Sequence, residues 1–230
     1  MTSLEARSTR VDEFGQVIGF TLENWTPPPI PPHKSLLGRY CHLEPLKVEP
    51  HAREIWDAQA NDPEGASWTY MPFGPFANFD EFKQWGVDQH ALGFVAYTSI
   101  RPSHGVLEVG VYYSPRLTKT RAATEAMYLA ISNAFDLGYR RFEWKCDSCN
   151  MPSRAAATRF GFTYEGLFRQ ALVHNGRNRD TTWFSIIDQD WNDGLNDSYE
   201  RWLDLRNFDD AGQQKLRLSQ LTAPFVHARP

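Results

Sequence analysis

The amino-acid sequence predicts an α/β fold with mixed strand pairing. Three stretches carry that prediction. VLEVGVYY (106–113) is strongly β-patterned and runs within a few residues into a long amphipathic segment. RRFEWKCD (140–147) alternates cleanly, with Phe142, Trp144 and Cys146 on one face and Glu143, Lys145 and Asp147 on the other. FTYEGLFRQALVH (162–174) and TTWFSIID (181–188) flank Asn175–Gly176, the strongest short-range hairpin signal.

Taken in order, residues 1–35 read as an N-terminal Pro-rich arm. The prolines of WTPPPIPPHKS (25–35) favour an extended path. Such a stretch either packs as an arm or linker or serves as a ligand for an SH3 or WW domain. The globular part begins near Leu37, and residues 36–191 are expected to form one domain. GRYCHLEPL (38–46) reads as a strand ending at Pro45. Pro50 to Ala60 reads as a helix through Ala52, Ile55, Trp56 and Gln59–Ala60. WTYMPFGPF (68–76) is an aromatic loop that either lines a pocket or plugs a surface. Phe79 to Ala91 reads as a second helix with Asp80 as its cap. GFVAYTSI (93–100) is a strand and RPSHG (101–105) a turn. Lys119 to Leu137 is the strongest helix, with Ala123, Met127, Ala130 and Ala134 as one stripe, thickened by Ile131 and Phe135, and Gly138 as the stop. Asn150 reads as a helix N-cap, with Pro152 in the first turn and Gly161 at the end. Residues 192–230, with Trp202 and Leu203, are expected to form a C-terminal helical extension.

The 24 basic and 28 acidic residues give no charge excess that would draw nucleic acid or an anionic membrane. No apolar run approaches the ~18 residues of a membrane span. The first twenty residues carry Glu5, Asp12 and Glu13 without an apolar core, so no signal peptide is read there. Cys41, Cys146 and Cys149 form an odd, low count that fits a reducing, cytoplasmic setting. Cys146 and Cys149 make a C-x-x-C, but no second pair completes a zinc site and no thioredoxin-like context surrounds it, so ordinary thiols and no metal are expected.

Four motifs follow one another at family-like spacing: LEVGVYYSP leading into ATEA, N-x-x-S at Asn150–Ser153, GFTYEG (161–166), and R-x-R-D-T (177–181). With the element order, they resemble the GNAT superfamily of N-acetyltransferases from about Leu37 to Trp191. The branch that includes ribosomal-protein N-terminal acetyltransferases is the most similar. The resemblance implies a mostly antiparallel central sheet flanked by helices, with acetyl-CoA as co-substrate. It places the pantetheine arm between two splayed strands, here about 106–113 and 140–147, with contacts from Val111, Tyr112 and Tyr113. It places the pyrophosphate on backbone amides of Thr118, Lys119, Thr120, Arg121, Ala122, Ala123 and Thr124. The family loop usually has Gln or Arg, two residues, Gly, one residue, then Gly or Ala. Here Arg121 replaces the first glycine, while Ala123 satisfies the last position. A loop in right-handed helical geometry needs no positive φ. Thr118 and Thr120 are then expected to add hydroxyl donors, and Lys119 and Arg121 to add charge. The bland alternative is that Lys119 and Arg121 form a solvated helix start.

Moving an acetyl group from a thioester to an amine needs a proton acceptor for the amine, a donor for the carbonyl oxygen and assistance to the departing sulfur. By resemblance, Ser153 is the candidate to serve the sulfur, and Asn150 either fixes this helix start or also contacts the cofactor. Glu108 is the first candidate base and Glu165 the second; the alternative for Glu108 is a structural ion pair. Asp180 is expected to organise its loop by hydrogen bonds. Relatives usually place two strands between the second helix and the Glu108 strand, whereas 89–105 has room for one. The sheet is therefore expected to be one strand short, with the arm (17–25) laid along the exposed edge; a second subunit over that edge is the alternative. The expected function is acetyl-CoA-dependent N-acetylation of a small amine or a protein N-terminus by a monomer or homodimer. The alternatives are a non-catalytic acyl-CoA-binding scaffold and an acyltransferase that uses a longer acyl group.

Overall fold

The computed structural model describes residues 10–227 apart from 46–47, 59–61, 63, 72–73, 85–92 and 175. Two short ladders come first. β1 (Arg10–Val11) pairs with β2 (Val17–Ile18), and β3 (Leu36–Leu37) with β4 (His42–Leu43). Next come α1 (Val48–Ala58), α2 (Phe79–Gln84), β5 (Gly93–Arg101), β6 (Val106–Tyr113), α3 (Arg121–Asp136), β7 (Arg141–Asp147) and α4 (Met151–Arg159). β8 (Thr163–His174) and β9 (Arg177–Ile187) close the sheet. α5 (Asp188–Asp190), a π turn (Trp191–Leu195), α6 (Asn196–Leu203) and α7 (Leu218–Thr222) follow. The central sheet has five strands in the order β5-β6-β7-β9-β8. Only β6 and β7 run parallel; the other neighbours are antiparallel. Among the described residues, no helix is long and apolar enough to cross a membrane.

The alternation of the strands sorts their side chains onto two faces. Leu107, Val109, Phe142, Trp144, Cys146, Phe184 and Ile186 share one buried core with Met127, Ala130, Ile131 and Ala134 of α3 and Ala157 of α4. The stripe read from the sequence of α3 is thus the stripe that packs. The opposite face carries ionic side chains toward the start of β6 and β7. Farther along, a hydrophobic cluster of the aromatic Trp68, Phe82 and Tyr112 with Ile55 joins α1 and α2 to the sheet. The C-terminal stretch that sequence patterning set apart at 192 packs Leu195, Tyr199, Trp202, Phe208 and Leu218 into the first core.

Four expectations need correction. GRYCHLEPL does not join the central sheet. Gly38 to Cys41 instead turn around the buried carboxylate of Glu125, which accepts the amides of Arg39 (2.8 Å), Tyr40 (2.5 Å) and Cys41 (2.8 Å). A Cβ at Gly38 would lie 2.3 Å from that carboxylate, which is why glycine stands there. The second helix is capped by Asn78, whose Oδ1 accepts the Glu81 amide, and not by Asp80; its expected continuation to Ala91 lies outside the described residues. The second hairpin strand begins at Arg177, four residues before 181. The arm does not lie along the β5 edge. Val17 and Ile18 pair back on Arg10 and Val11, and Val17 is 71% exposed. The arm is anchored farther on: Pro28 and Pro31 are buried, Pro29 accepts a hydrogen bond from the Tyr139 hydroxyl (3.0 Å), and Arg140 lies over the Trp25 ring.

Candidate active site

β6 and β7 are paired at only three positions: Val106 with Arg141, Leu107 with Phe142, and Glu108 with Glu143. Beyond Glu108, β6 continues to Tyr113 along β5, and β7 continues to Asp147 along β9. Each strand keeps its outer partner while their shared ladder stops. A strand edge released in this way offers backbone donors and acceptors to a ligand. Val111, Tyr112 and Tyr113 lie on the open stretch of β6. The Tyr112 ring stacks on Trp68 (4.8 Å between centroids) and on Phe94 (5.8 Å). The Tyr113 hydroxyl is buried and has no partner among the described residues, and burial pushes it well above the ordinary phenol range.

The loop after β6 reaches the start of α3 without glycine, but not in right-handed geometry throughout. Lys119 takes φ +65°, so a lysine occupies the left-handed region that glycine usually fills. The threonine hydroxyls are also engaged. Thr118 Oγ1 donates to Ser114 O (3.0 Å). Thr120 Oγ1 donates to Leu117 O (2.7 Å) and accepts the Ala123 amide (3.1 Å), which caps the helix. Thr124 donates its amide to Thr120 O. The Arg121 guanidinium sits over the rings of Phe208 (4.5 Å) and Tyr40 (5.1 Å), where it ties α3 to the C-terminal segment. These contacts correct the expectation of free hydroxyls from Thr118 and Thr120. They also occupy the Arg121 charge. What the loop still offers is backbone: among the described residues, the amides of Lys119, Arg121 and Ala122 have no partner. They open a sixteen-residue helix whose dipole favours an anion there.

At the start of α4, Asn150 Oδ1 accepts the Ser153 amide (3.1 Å), as the N-x-x-S spacing predicts. Ser153 Oγ in turn accepts the indole N–H of Trp144 (3.1 Å). Trp144 is the first residue of β7 beyond the last rung shared with β6. Among the described residues the Ser153 hydroxyl proton has no acceptor. The aromatic loop reaches this region as well: Tyr70 donates its hydroxyl to Cys149 O (3.3 Å).

The carboxylates on the ionic face form one network. Glu108 Oε2 accepts from Lys145 Nζ (2.7 Å) and Ser99 Oγ (2.8 Å), while its Oε1 has no partner among the described residues. Glu143, 3% exposed, is held by Arg101 (2.8 Å), Arg141 (2.9 Å) and Lys145 (3.3 Å). Glu165 Oε1 accepts from Arg141 Nη1 (3.0 Å) and from the Ser185 hydroxyl. Glu108 and Glu165 are therefore both ion-paired, and they belong to the same network. Trp144 and Lys145 escaped the sequence reading as site residues. The only signal was their alternation on β7, which gives a face and no partner.

A model of the acetyltransferase (GNAT) domain matches residues 40–163. The structure of a GCN5-related N-acetyltransferase from Brucella melitensis is 41% identical, with a TM-score of 0.82, covering 88% of this chain and all of that one. A structure described as a probable acetyltransferase of the GNAT family, from Chromobacterium violaceum, is 40% identical, with a TM-score of 0.69, covering 75% of this chain and 95% of the other. A curated relative, the uncharacterized N-acetyltransferase YoaA of Bacillus subtilis, is 26% identical over 109 residues, or 45% of this chain and 62% of the relative. The alignment therefore spans less than two thirds of that relative's length.

Proposed function

The chain belongs to the acetyltransferase (GNAT) domain family, and from that premise we propose that it transfers an acetyl group from acetyl-CoA directly to an amine. The observation that carries this reading is the ladder of β6 and β7 that ends at Glu108 and Glu143. The open edges suit the amide-bearing pantetheine arm, and the three free amides at Lys119, Arg121 and Ala122 suit the pyrophosphate. Both fits rest on backbone, so neither needs the missing loop glycine or the Arg121 charge.

Acetyl-CoA supplies an activated acyl group and a thiolate leaving group. The rest is the work of side chains. As the amide C–N bond forms and the thioester C–S bond breaks, Ser153 donates a hydrogen bond that stabilises the departing thiolate and keeps its own proton, and Trp144 holds the serine oxygen from the other side. Accepting one hydrogen bond strengthens the donation of the next. Glu108 takes the acceptor's proton through water at its free Oε1, while Oε2 stays with Lys145 and Ser99. Glu165 bridges Arg141 and Ser185 and supports the network from β8. The three free thiols fit a reducing compartment, which we take to be the cytoplasm.

The pairing of both candidate bases with cations favours a second reading: a chain that binds acyl-CoA without turning it over. Thiol release from acetyl-CoA with a panel of amines and peptides separates the two. Calorimetric binding with no release would leave the second reading standing, and no binding at millimolar cofactor would remove both. A series of acyl chain lengths tests whether acetyl is the preferred group. Glu108→Gln should flatten the rise of rate with pH, and a profile of wild-type shape would dismiss Glu108 as the base.

A further inference from the structure

The R-x-R-D-T segment has no part in the chemistry above, yet unpaired polar atoms gather there. Among the described residues, Arg179 Nε, Thr181 Oγ1 and His174 Nε2 are all buried atoms without a hydrogen-bond partner. Thr181 as a whole is 5% exposed. The register pairs Phe168 with Thr181, Leu172 with Arg179, and His174 with Arg177. The odd-numbered residues of β9 from Arg177 to Trp183 share one face. Trp183 fixes which face it is, because its ring lies 3.9 Å from Lys145 Nζ. The three atoms therefore stand on the face that carries Glu108, Glu143 and Lys145.

A buried donor without a partner costs ~1–3 kcal/mol. Arg179 Nε and the Thr181 hydroxyl are two such donors on one hairpin face, with His174 Nε2 a third unpaired polar atom beside them, and together they call for an occupant. Arginine donates only, and a threonine hydroxyl donates as well as accepts, so the occupant must bring acceptors. A guanidinium in the set also rules out a metal cation by charge. The carboxylate of the hairpin tip is on the other face, where Asp180 Oδ1 accepts from the Gln170 amide (2.7 Å) and Asn178 Nδ2 (2.9 Å). Asp147, which pairs with Thr181 in register, is a carboxylate on the donor face, and its Oδ1 takes the Cys149 amide (2.8 Å).

We propose that this hairpin face binds the anionic group of the acceptor, a carboxylate or a phosphate, and so selects amines that carry one. The proposal rests on the transferase reading above. Lys145 pairs with Trp183 in register, and Thr181 and Arg179 lie two and four residues farther along β9. At ~3.3 Å per residue the anion is then held ~7–13 Å from the level of Lys145. An extended acceptor with its amine at the cleft and its anion on the hairpin spans that distance.

The test is a matched panel of ω-amino acids of about five to ten carbons, long enough to span that distance, their carboxamides and the corresponding aminoalkyl phosphates, read by thiol release at saturating acetyl-CoA. The acids or phosphates should exceed the carboxamides at least ~10-fold in kcat/KM, since a charged partner strengthens such bonds. Whichever anion is preferred names the source. Arg179→Gln should bring the ratio near one by raising KM, with Arg179→Lys between, and unchanged calorimetric affinity for acetyl-CoA shows that the variants are folded. Equal use of acids and carboxamides, or a preference that survives Arg179→Gln, overturns the proposal. Binding is read independently from the His174 ring proton signals, assigned by their loss in His174→Gln. Inorganic phosphate or acetate should shift them in the wild type and not in Arg179→Gln. No shift at tens of millimolar means that water alone satisfies these atoms, and the site fails. Absence of thiol release with every amine sinks the transferase reading and the acceptor assignment together, while the shift still decides whether an anion site exists.

Discussion

Ser153 and Trp144 show what a single hydrogen bond can be asked to do. The serine oxygen already accepts an indole N–H at 3.1 Å, so its own proton is the one it has to give. Trp144→Phe keeps a ring among Phe160 and Phe162 and removes only that donor. It should lower kcat by roughly 10-fold with little change in the KM for acetyl-CoA, less than the ~10²–10⁴-fold of losing general-acid assistance outright, because the serine proton remains. Ser153→Ala should cost more, and adding Trp144→Phe to it should cost nothing further, because the two act as a unit. Additive losses in the double variant would make Trp144 a packing residue. The thiols give a second prediction at this scale. Burial, and then the charge of Glu125, push Cys41 up to about 12. Its neutral form is favoured by folding, so this contribution is fully present below the ordinary thiol value and lost as pH rises from ~9 toward 12. At pH 8 an alkylating reagent should label exposed Cys149 long before Cys41, and equal rates would refute it. Asn150 and Ser153 were legible in the sequence because a cap acts over three residues. The Trp144 bond was not, because its partners lie nine positions apart in separate elements.

Among the elements, α3 and β7 were read almost to the residue, since 3.6- and 2-residue periods leave a trace in sixteen- and seven-residue segments. The β3–β4 ladder left none, because two-residue strands have no period to detect. What holds the loop between β3 and β4 is Glu125, a helical residue that sequence patterning would assign to solvent, yet it is 4% exposed. Three backbone amides converge on its carboxylate. Glu125→Gln puts an amide donor among those donors and should destabilise the fold by ~2–4 kcal/mol. Urea denaturation should show a lower midpoint with an unchanged slope. A midpoint within error of wild type would show that the loop is held by other contacts.

For the whole molecule, the arm was legible as an extended, proline-rich element, but not its route. Apolar residues at Val17, Ile18, Phe20 and Leu22 looked like a strand in search of an edge. The buried anchors are instead Pro28 and Pro31, which a hydropathy pattern ranks low. Removing residues 1–24 should therefore leave the thermal midpoint within ~2 °C of the full chain, whereas removing 1–35 should lower it by several degrees, at ~2–4 °C per kcal/mol lost. If both truncations melt alike, Pro28, Pro31 and the Tyr139–Pro29 bond contribute nothing. The C-terminal segment is tied down by aromatic–arginine contacts. Arg121 lies over Phe208, and Arg159 over Phe160 and Trp202, with its other contact at Thr124 (3.1 Å). Desolvation lowers the Arg159 guanidinium from its ordinary value, the mark of a cation placed among rings. No residue pattern announces the Arg121–Phe208 and Arg159–Trp202 pairs, because each joins segments more than forty positions apart.

A sheet in which two inner neighbours share only three rungs is, mechanically, two sheets with a seam. β5 and β6 form one leaf, β7, β9 and β8 the other, and past Glu108 and Glu143 nothing in the strand ladder stitches them together. Beneath the seam both leaves share the core on α3, but past the last rung their backbone hydrogen bonds are free to open at different rates. Deuterium should therefore enter the amides of Val109 to Tyr113 at a different rate from those of Trp144 to Asp147. A molecule that fills the seam turns the pair into a single leaf, and the two rates should fall together as acetyl-CoA saturates the protein, with a melting temperature that climbs as the logarithm of its concentration.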